Sequence, residues 1–361
     1  MATMNDVARL AKVSVSTVSY ALTGARPISR ATREKVLAAM LELNYQPNAM
    51  ARGLASRRSS ILGLLLPMDE HGLGATETAF VTGAASAASK TGYHLMLYPL
   101  PLHDLEALRR LASQSLLEGA LLMEVGLYDE RVTVLRQFGV PLVLIGRTAD
   151  PVGLPFVDID FDQTVRDAVA HLVGLGHRRI VYVNHSAATI NDGNGPARRT
   201  QDAYLAAMAE HDLPPLMIPA PDTAAGGRAA LSAALQQAPD LTAVLAMNER
   251  ALFGILGELA NRSLNVPGDI SVVSMVTSPQ VAELANPALT AMTSPGAAMG
   301  RIAVETLLQG LEGPVAEIHQ ELLPCTLQVR GTSGPVRAGP ETTPPIPNHP
   351  PRGGRSSVAP R

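Results

Sequence analysis

The residues V-S-V-S-T-V-S-Y over positions 13–20 carry the most readable chemistry in the chain. At helical spacing Val13 and Val18 turn inward, while Val15, Ser16 and Tyr20 point outward near a helix start. Hydroxyls placed there can bond phosphate oxygens or base edges, and a valine can meet a thymine methyl. A second set follows short apolar runs further on: Asp69, Arg147, Asp160, Asn248 and Glu249. Carboxylate, guanidinium and amide groups at strand ends supply the dense donors and acceptors that a polyhydroxylated ligand needs. A helix cap or an ordinary surface position accounts for any one of them equally well. Other groupings predict no chemistry. His171 and His177 stand six apart, off a common helix face, with no carboxylate motif beside them. Asp158, Asp160 and Asp162 alternate like strand residues with no nucleophile and base nearby. No GxGxxG or GxxxxGK[ST] occurs. Neither a metal, a nucleotide cofactor nor an enzyme is expected.

The elements that must position these residues fall into two textures. Over residues 1–60 the pattern is of short helices. Thr3 can cap a helix with Asp6 at its third position and Val7, Ala8, Leu10 and Ala11 on its apolar face. Lys12-Val13 leaves room only for a tight turn, after which Ser14 caps a second helix that Gly24 stops. Ser29 caps a third, with Val36, Leu37, Met40, Leu41 and Leu43 at helical spacing and Asn44 at its end. Pro47 suits the first turn of a short fourth helix, in which Gly53 lowers intrinsic stability. Helix, tight turn and helix within about 20 residues is the helix-turn-helix arrangement, whose second helix enters the major groove. The charge agrees: residues 1–60 hold nine basic and three acidic residues, a net +6, so a whole-chain charge of −3 leaves −9 for the remainder. A basic head is the electrostatic footprint of a phosphate binder.

After Arg58 short apolar runs alternate with amphipathic stretches. The runs are Ile61–Leu66, His94–Leu97, Ala120–Val125, Leu142–Ile145, Ile180–Val183, Ala243–Met247 and Ile270–Met275, with helical patterns such as Phe80–Lys90, Leu105–Ser115 and Thr164–Leu175 between them. Continuous apolar strands alternating with helices predict parallel sheets covered on both faces. Some 270 residues of this predict two doubly wound subdomains with a cleft between them. Residues 332–361, with eight prolines and four glycines, predict a disordered tail. The expected organisation is thus a small all-α head with hinge helix over 1–58, an α/β body over 59–331, and a tail over 332–361. Hydrophobic residues make up 46% of the chain and aromatics only 3%, so Ala, Leu, Val, Ile and Met must build the core. The single cysteine, Cys325, excludes an internal disulfide framework. No apolar run reaches the roughly 18 residues of a membrane span, and no signal peptide opens the chain, so a cytoplasmic protein is expected.

M-N-D-V-A-R-L-A-K-V-S-V-S-T-V-S-Y-A-L-T-G and T-R-E-K-V-L-A-A-M-L-E-L-N-Y-Q-P-N-A-M-A-R-G-L closely resemble the head of the lactose/galactose-repressor (LacI/GalR) family. H-L-V-G-L-G-H-R-R-I (171–180), V-P-G-D-I-S-V-V (266–273) and M-G-R-I-A-V-E-T-L-L (299–308) are similar to its effector domain. The resemblance implies a periplasmic-binding-protein-like body and base contacts from Val15, Ser16 and Tyr20. It implies backbone contacts from Ser14, Thr17, Ser19, Tyr45 and Asn48, and a phosphate contact from Arg26 in the loop after the reading helix. Leu54 matches the hinge leucine that wedges into the minor groove and kinks the duplex. The partners implied are double-stranded operator DNA, a small-molecule effector of carbohydrate type, and a second copy of the chain in a homodimer or a tetramer. The implied protein is a repressor of transcription, with a solute-binding protein lacking any DNA role as the alternative.

Departures from the family pattern are specific. Tyr20 stands where arginine is common and cannot make arginine's bidentate bond to guanine. Thr76 and Glu77 replace an aromatic pair before the first body helix. Thr200 occupies an arginine position, with Arg199 beside it, and Val276 replaces a ligand-holding aspartate. These changes leave an unusual sugar, another metabolite or no effector open for the cleft.

Overall fold

A computed structural model describes residues 2–23, 26–45, 59–67, 72–101 and 103–337. The head contains α1 (Met4–Ala11), α2 (Val15–Thr23) and α3 (Arg30–Glu42). Thr3 and Asp6 form a reciprocal capping box on α1. Lys12 ends that helix in the left-handed region at φ 54°, and Val13 N–H bonds back to Ala8 O at 3.0 Å, which turns the chain within two residues. Ser14 Oγ accepts from Thr17 N at 3.1 Å to start α2, and Ser29 Oγ accepts from Thr32 N at 3.1 Å to start α3. Asn44, at φ 46°, follows the end of α3. Val7, Ala8, Ala11, Val18, Ala21, Val36 and Ala39 form the buried centre of the three helices. Leu10, Leu37 and Leu41, expected on apolar faces, are exposed instead, because this small core fills with alanine and valine. Gly24 and the expected fourth helix lie outside the described residues.

The body holds twelve strands among the described residues, in two six-stranded sheets. The first has the order β11-β5-β4-β3-β1-β2 and is parallel throughout. Its strands are β1 (Ile61–Leu66), β2 (His94–Pro99), β3 (Gly119–Leu122), β4 (Leu142–Ile145), β5 (Phe156–Ile159) and β11 (Gln320–Leu323). The second has the order β12-β10-β9-β8-β6-β7, in which only β12 runs antiparallel. It comprises β6 (Ile180–Asn184), β7 (Leu216–Pro219), β8 (Ala243–Ala246), β9 (Ser271–Thr277), β10 (Thr290–Thr293) and β12 (Thr326–Gln328). The apolar runs of the sequence became β1, β2, β3, β4, β6, β8 and β9, of which β2 is an edge strand; β5, β7, β10, β11 and β12 lay outside those runs.

Helices cover both sheets. On the first lie α4 (Ala75–Lys90), α5 (Leu105–Ser113), α6 (Glu130–Gln137) and α13 (Gly296–Glu312). The second carries α7 (Phe161–Gly174), α8 (Ala187–Asn191), α9 (Gly195–Glu210), α10 (Ala224–Gln237), α11 (Glu249–Asn261) and α12 (Pro279–Leu284). Glycines let one helix pair in each subdomain approach closely. A Cβ at Gly83 of α4 would lie 2.1 Å from Ala297 O of α13, and one at Gly227 of α10 would lie 1.8 Å from Ala251 O of α11. The chain crosses between subdomains three times: from β5 into α7, from β10 into α13, and from β11 into β12.

The expected body boundary at 331 falls short of the packed chain. Thr332 is fully buried and its Oγ1 donates to Val272 O at 2.7 Å. Gly334 exchanges hydrogen bonds with Ser271 Oγ and bonds His177, and Val336 N–H reaches Leu175 O at 3.0 Å. Ladder-like contacts hold the chain to the second subdomain through these positions, where proline content alone predicted disorder.

Candidate functional site

On α2 the side chains divide between solvent and the head core. Val15 is 41% exposed, Ser16 is exposed, and Val13 and Val18 pack inward. Ser14 Oγ lies 2.8 Å from Thr17 Oγ1 and 3.3 Å from Ser16 Oγ, a hydroxyl cluster at the helix start. Tyr20 is half-buried, with the Arg26 guanidinium carbon 5.5 Å above its ring centroid. Ser19 is half-buried, as is Tyr45, which packs against the head core. Asn48 and Leu54 lie outside the described residues.

The cleft between subdomains has a volume of about 420 Å³. In each sheet the order reverses beside the first strand, between β1 and β3 and between β6 and β8. Such switch points leave a crevice at the carboxyl ends of the strands. Pro67 and Glu124 therefore face the cleft from one sheet, and His185, Asn248 and Glu249 from the other. Thr76 and Glu77 reach it from the first turn of α4.

Several ties span the cleft. Thr76 Oγ1 donates to Val276 O at 3.1 Å, where Val276 is held at φ 45°, an unfavourable setting for a β-branched residue. Leu127 N–H donates to Gly193 O at 2.8 Å, and Asn194 Nδ2 to Glu124 Oε2 at 3.4 Å. Arg199, on α9, donates to Arg147 O at 2.7 Å and Thr148 O at 3.2 Å. Its Nη1 lies 3.7 Å from Asp158 Oδ2, with Arg147 Nη1 at 3.5 Å on the same oxygen.

The sequence expectations divide at this point. Thr76, Glu77, Asn248 and Glu249 line the cleft. Arg147 and Arg199 do not line it; they stand behind Asp158, which does. Asp160 does not line it either: its carboxylate accepts from Gln163 N at 2.9 Å and caps α7. Asp69 lies outside the described residues. Sequence reasoning missed Asp158, Glu124, His185, Asp222 and Arg250 as lining residues. The strand-end rule reaches Glu124 once β3 is ended at Leu122, and reaches His185 once β6 is ended at Asn184.

Burial pushes Asp158 up to about 6 despite its two guanidinium neighbours. Burial also raises Glu77, with Glu249 and Asp222 adding to the effect, and raises Glu124, with Glu77 adding to it. His185 is lowered by burial, which favours the neutral ring. Arg250 Nη1 pairs with Asp222 at 3.0 Å. Among the described residues no group of three His, Cys, Asp or Glu is arranged to hold a metal ion, and no helix is long and apolar enough to cross a membrane.

A basic helix-turn-helix head joined to a two-subdomain, cleft-bearing α/β body defines a ligand-responsive DNA-binding protein. Residues 3–48 match the bacterial regulatory protein lacI family model, and residues 169–333 match the periplasmic binding protein-like domain. The HTH-type transcriptional regulator CelR of Thermobifida fusca is 33% identical, over 91% of this chain and 97% of that one. Catabolite control protein A of Priestia megaterium is 27% identical over 91% and 98%. A lac repressor dimer bound to operator and the anti-inducer ONPF superposes with a TM-score of 0.78 at 26% identity, covering 92% of this chain and 99% of that one. A CelR–cellobiose complex superposes with a TM-score of 0.67 at 29% identity, over 92% and 100%. The chain belongs to the LacI family of DNA-binding transcriptional regulators and is not an enzyme.

Proposed function

We propose that this regulator is a cytoplasmic repressor that binds a palindromic operator as a homodimer and is switched by a small molecule in the cleft. The exposed outer face of α2 supports the DNA half of this reading most directly. Val15, Ser16 and Tyr20 read base edges in the major groove, while Ser14, Thr17, Ser19, Arg26, Tyr45 and Asn48 hold the backbone. Leu54 enters the central minor-groove step. One head contacts few phosphates, so two must act together on two half-sites. The cleft at paired switch points, with buried polar groups facing it, supports the sensing half. The effector alters the angle between subdomains and thereby the spacing of the two heads. Gel shift against operator fragments selected from a random pool tests the reading. The expected result is a specific complex that weakens steeply with salt and shifts when effector is added. Absence of any salt-sensitive specific complex overturns it.

A further inference from the structure

Five carboxylates line the cleft, and their counter-charges are unevenly shared. Asp222 has Arg250 at 3.0 Å, and Asp158 has Arg147 and Arg199 behind it. Glu77, Glu124 and Glu249 have no ion-pair partner among the described residues. Among the described residues Glu124 accepts from Asn194 and Glu249 from Thr277 Oγ1, at 2.6 Å, both neutral donors. Burial is the main cause that disfavours charge on Glu77 and Glu124; Glu249 adds to it at Glu77 and Glu77 adds to it at Glu124, with Arg250 and Arg131 respectively opposing from beyond ion-pair distance.

One further group facing this space is buried without a hydrogen-bond partner: Asn248 Nδ2, on a residue 1% exposed. The Asn248 Oδ1 is already committed to Ala251 N at 3.0 Å, so its amide nitrogen is the remaining donor. Leaving a buried donor unmet is costly, so the Asn248 amide is poised for a ligand. A ligand that satisfies this wall carries an acceptor oxygen for Asn248 and a positive charge for the glutamates. Among the described residues the carboxylates are not grouped as metal ligands, so the charge they call for is one held by their combined field and not by direct coordination.

Resting on the sensing role proposed above, we infer that the effector is an amino-polyol, an amino sugar in its protonated form, whose ammonium group sits among Glu77, Glu124 and Glu249. Asn248 fixes the hydroxyl-bearing part of the same molecule. The cleft volume of about 420 Å³ lies in the range of small-ligand pockets.

Calorimetric titration of the full chain with matched sugars tests this: glucosamine against glucose, galactosamine against galactose, and the chitosan disaccharide against cellobiose. The expected result is at least tenfold tighter binding of the amine in one or more pairs, lost when that amine is N-acetylated. The Glu77→Gln and Glu124→Gln variants, checked for folding by thermal melt, are expected to erase most of the preference. Equal or tighter binding of the neutral partners overturns the inference while leaving the sensing role intact. Binding by no member of the panel, with operator affinity unmoved, overturns both.

Discussion

Replacing Arg199 by alanine separates the charge effect at the cleft base from simple packing. The side chain is 12% exposed and joins the second subdomain to two carbonyls and one carboxylate of the first. Breaking a buried charge pair costs about 3–5 kcal/mol, and water admitted from the cleft places this case near the lower figure. The pH dependence identifies the partner. Asp158 has a pKa of about 6 when folded, against 3.8 for a free side chain. The folded carboxyl therefore holds its proton more tightly than the unfolded one. Its contribution to stability is complete below pH 3.8 and is lost as the pH rises through about 6, a change on the order of 3 kcal/mol. Without Arg199 the carboxylate keeps only Arg147, its pKa climbs further, and the added loss falls above pH 6. Thermal or urea unfolding should show a deficit of about 2 kcal/mol at pH 5, mainly lost hydrogen bonds, widening to about 3–4 kcal/mol at pH 8. Arg199→Lys should lie between, since it keeps a charge but not the planar fork. Equal deficits at pH 5 and pH 8 would refute the claim that Arg199 acts through Asp158.

Other perturbations are expected to act as follows. Arg26→Ala should lower the salt dependence of operator binding by about 0.9 log unit per lost phosphate contact, measured by fluorescence anisotropy across a salt series; an unchanged slope removes Arg26 from the phosphates. Thr76→Val removes the bond to Val276 O across the cleft and should weaken effector binding by a few-fold to about tenfold in calorimetry, and an unaltered affinity argues against a role in closure. Gly83→Ala sets a Cβ 2.1 Å from a backbone oxygen of α13, so the two helices must part, at about 1–3 kcal/mol in a thermal melt. Gly310→Ala on α13 meets nothing within 4 Å and should instead stabilise by up to about 1 kcal/mol. His177 donates from Nε2 to Gly334 O at 3.0 Å, and burial lowers its pKa below 6.5. The folded state thus binds this proton more weakly, so stability falls as pH drops below 6.5; His177→Gln should flatten that decline.

What the sequence made legible was local or periodic. Thr3, Ser14 and Ser29 cap helices because the cap oxygen and the N–H that donates to it lie within three residues. Most interior strands stood out because both their faces are buried, whereas β5 and β10, equally buried, did not, because Asp158 and two threonines interrupt their apolar pattern. The misses needed three dimensions. Asp158 and Asp160 are both strand-end carboxylates, yet only the first faces the cleft, because the chain turns into α7 at Asp160 and uses that side chain as a cap. Glu124 hid inside an apolar run read as ending three residues beyond β3. Arg147 and Arg199 have the right chemistry one layer too deep, a placement set by the crossing of α9 over the loop after β4. Residues 332–337 read as tail because proline content speaks of backbone freedom, not of the bonds that Ser271, His171 and His177 offer.

The distribution of these groups between subdomains bears on how a signal could leave the cleft. Glu77 and Glu124 belong to the first subdomain, while Glu249 and Asn248 belong to the second. Bringing the walls together pushes like charges toward each other, against the pull of the Arg199, Thr76 and Asn194 ties. An ammonium group between the walls reverses the sign of that term, and does so only when both walls are near it. Its interaction is therefore differential between open and closed forms, which is the property a ligand must have to shift a conformational equilibrium. A unit charge pair about 6 Å apart at an effective dielectric near 20 is worth about 3 kcal/mol. Two such pairings made only on closure approach the roughly 5.5 kcal/mol that moves a two-state population from 1:99 to 99:1. A neutral sugar at the same wall must find that difference in hydrogen bonds alone, each contributing about 1 kcal/mol net. The unpaired glutamates thus make the charge of the ligand, more than its hydroxyl pattern, the lever on the hinge.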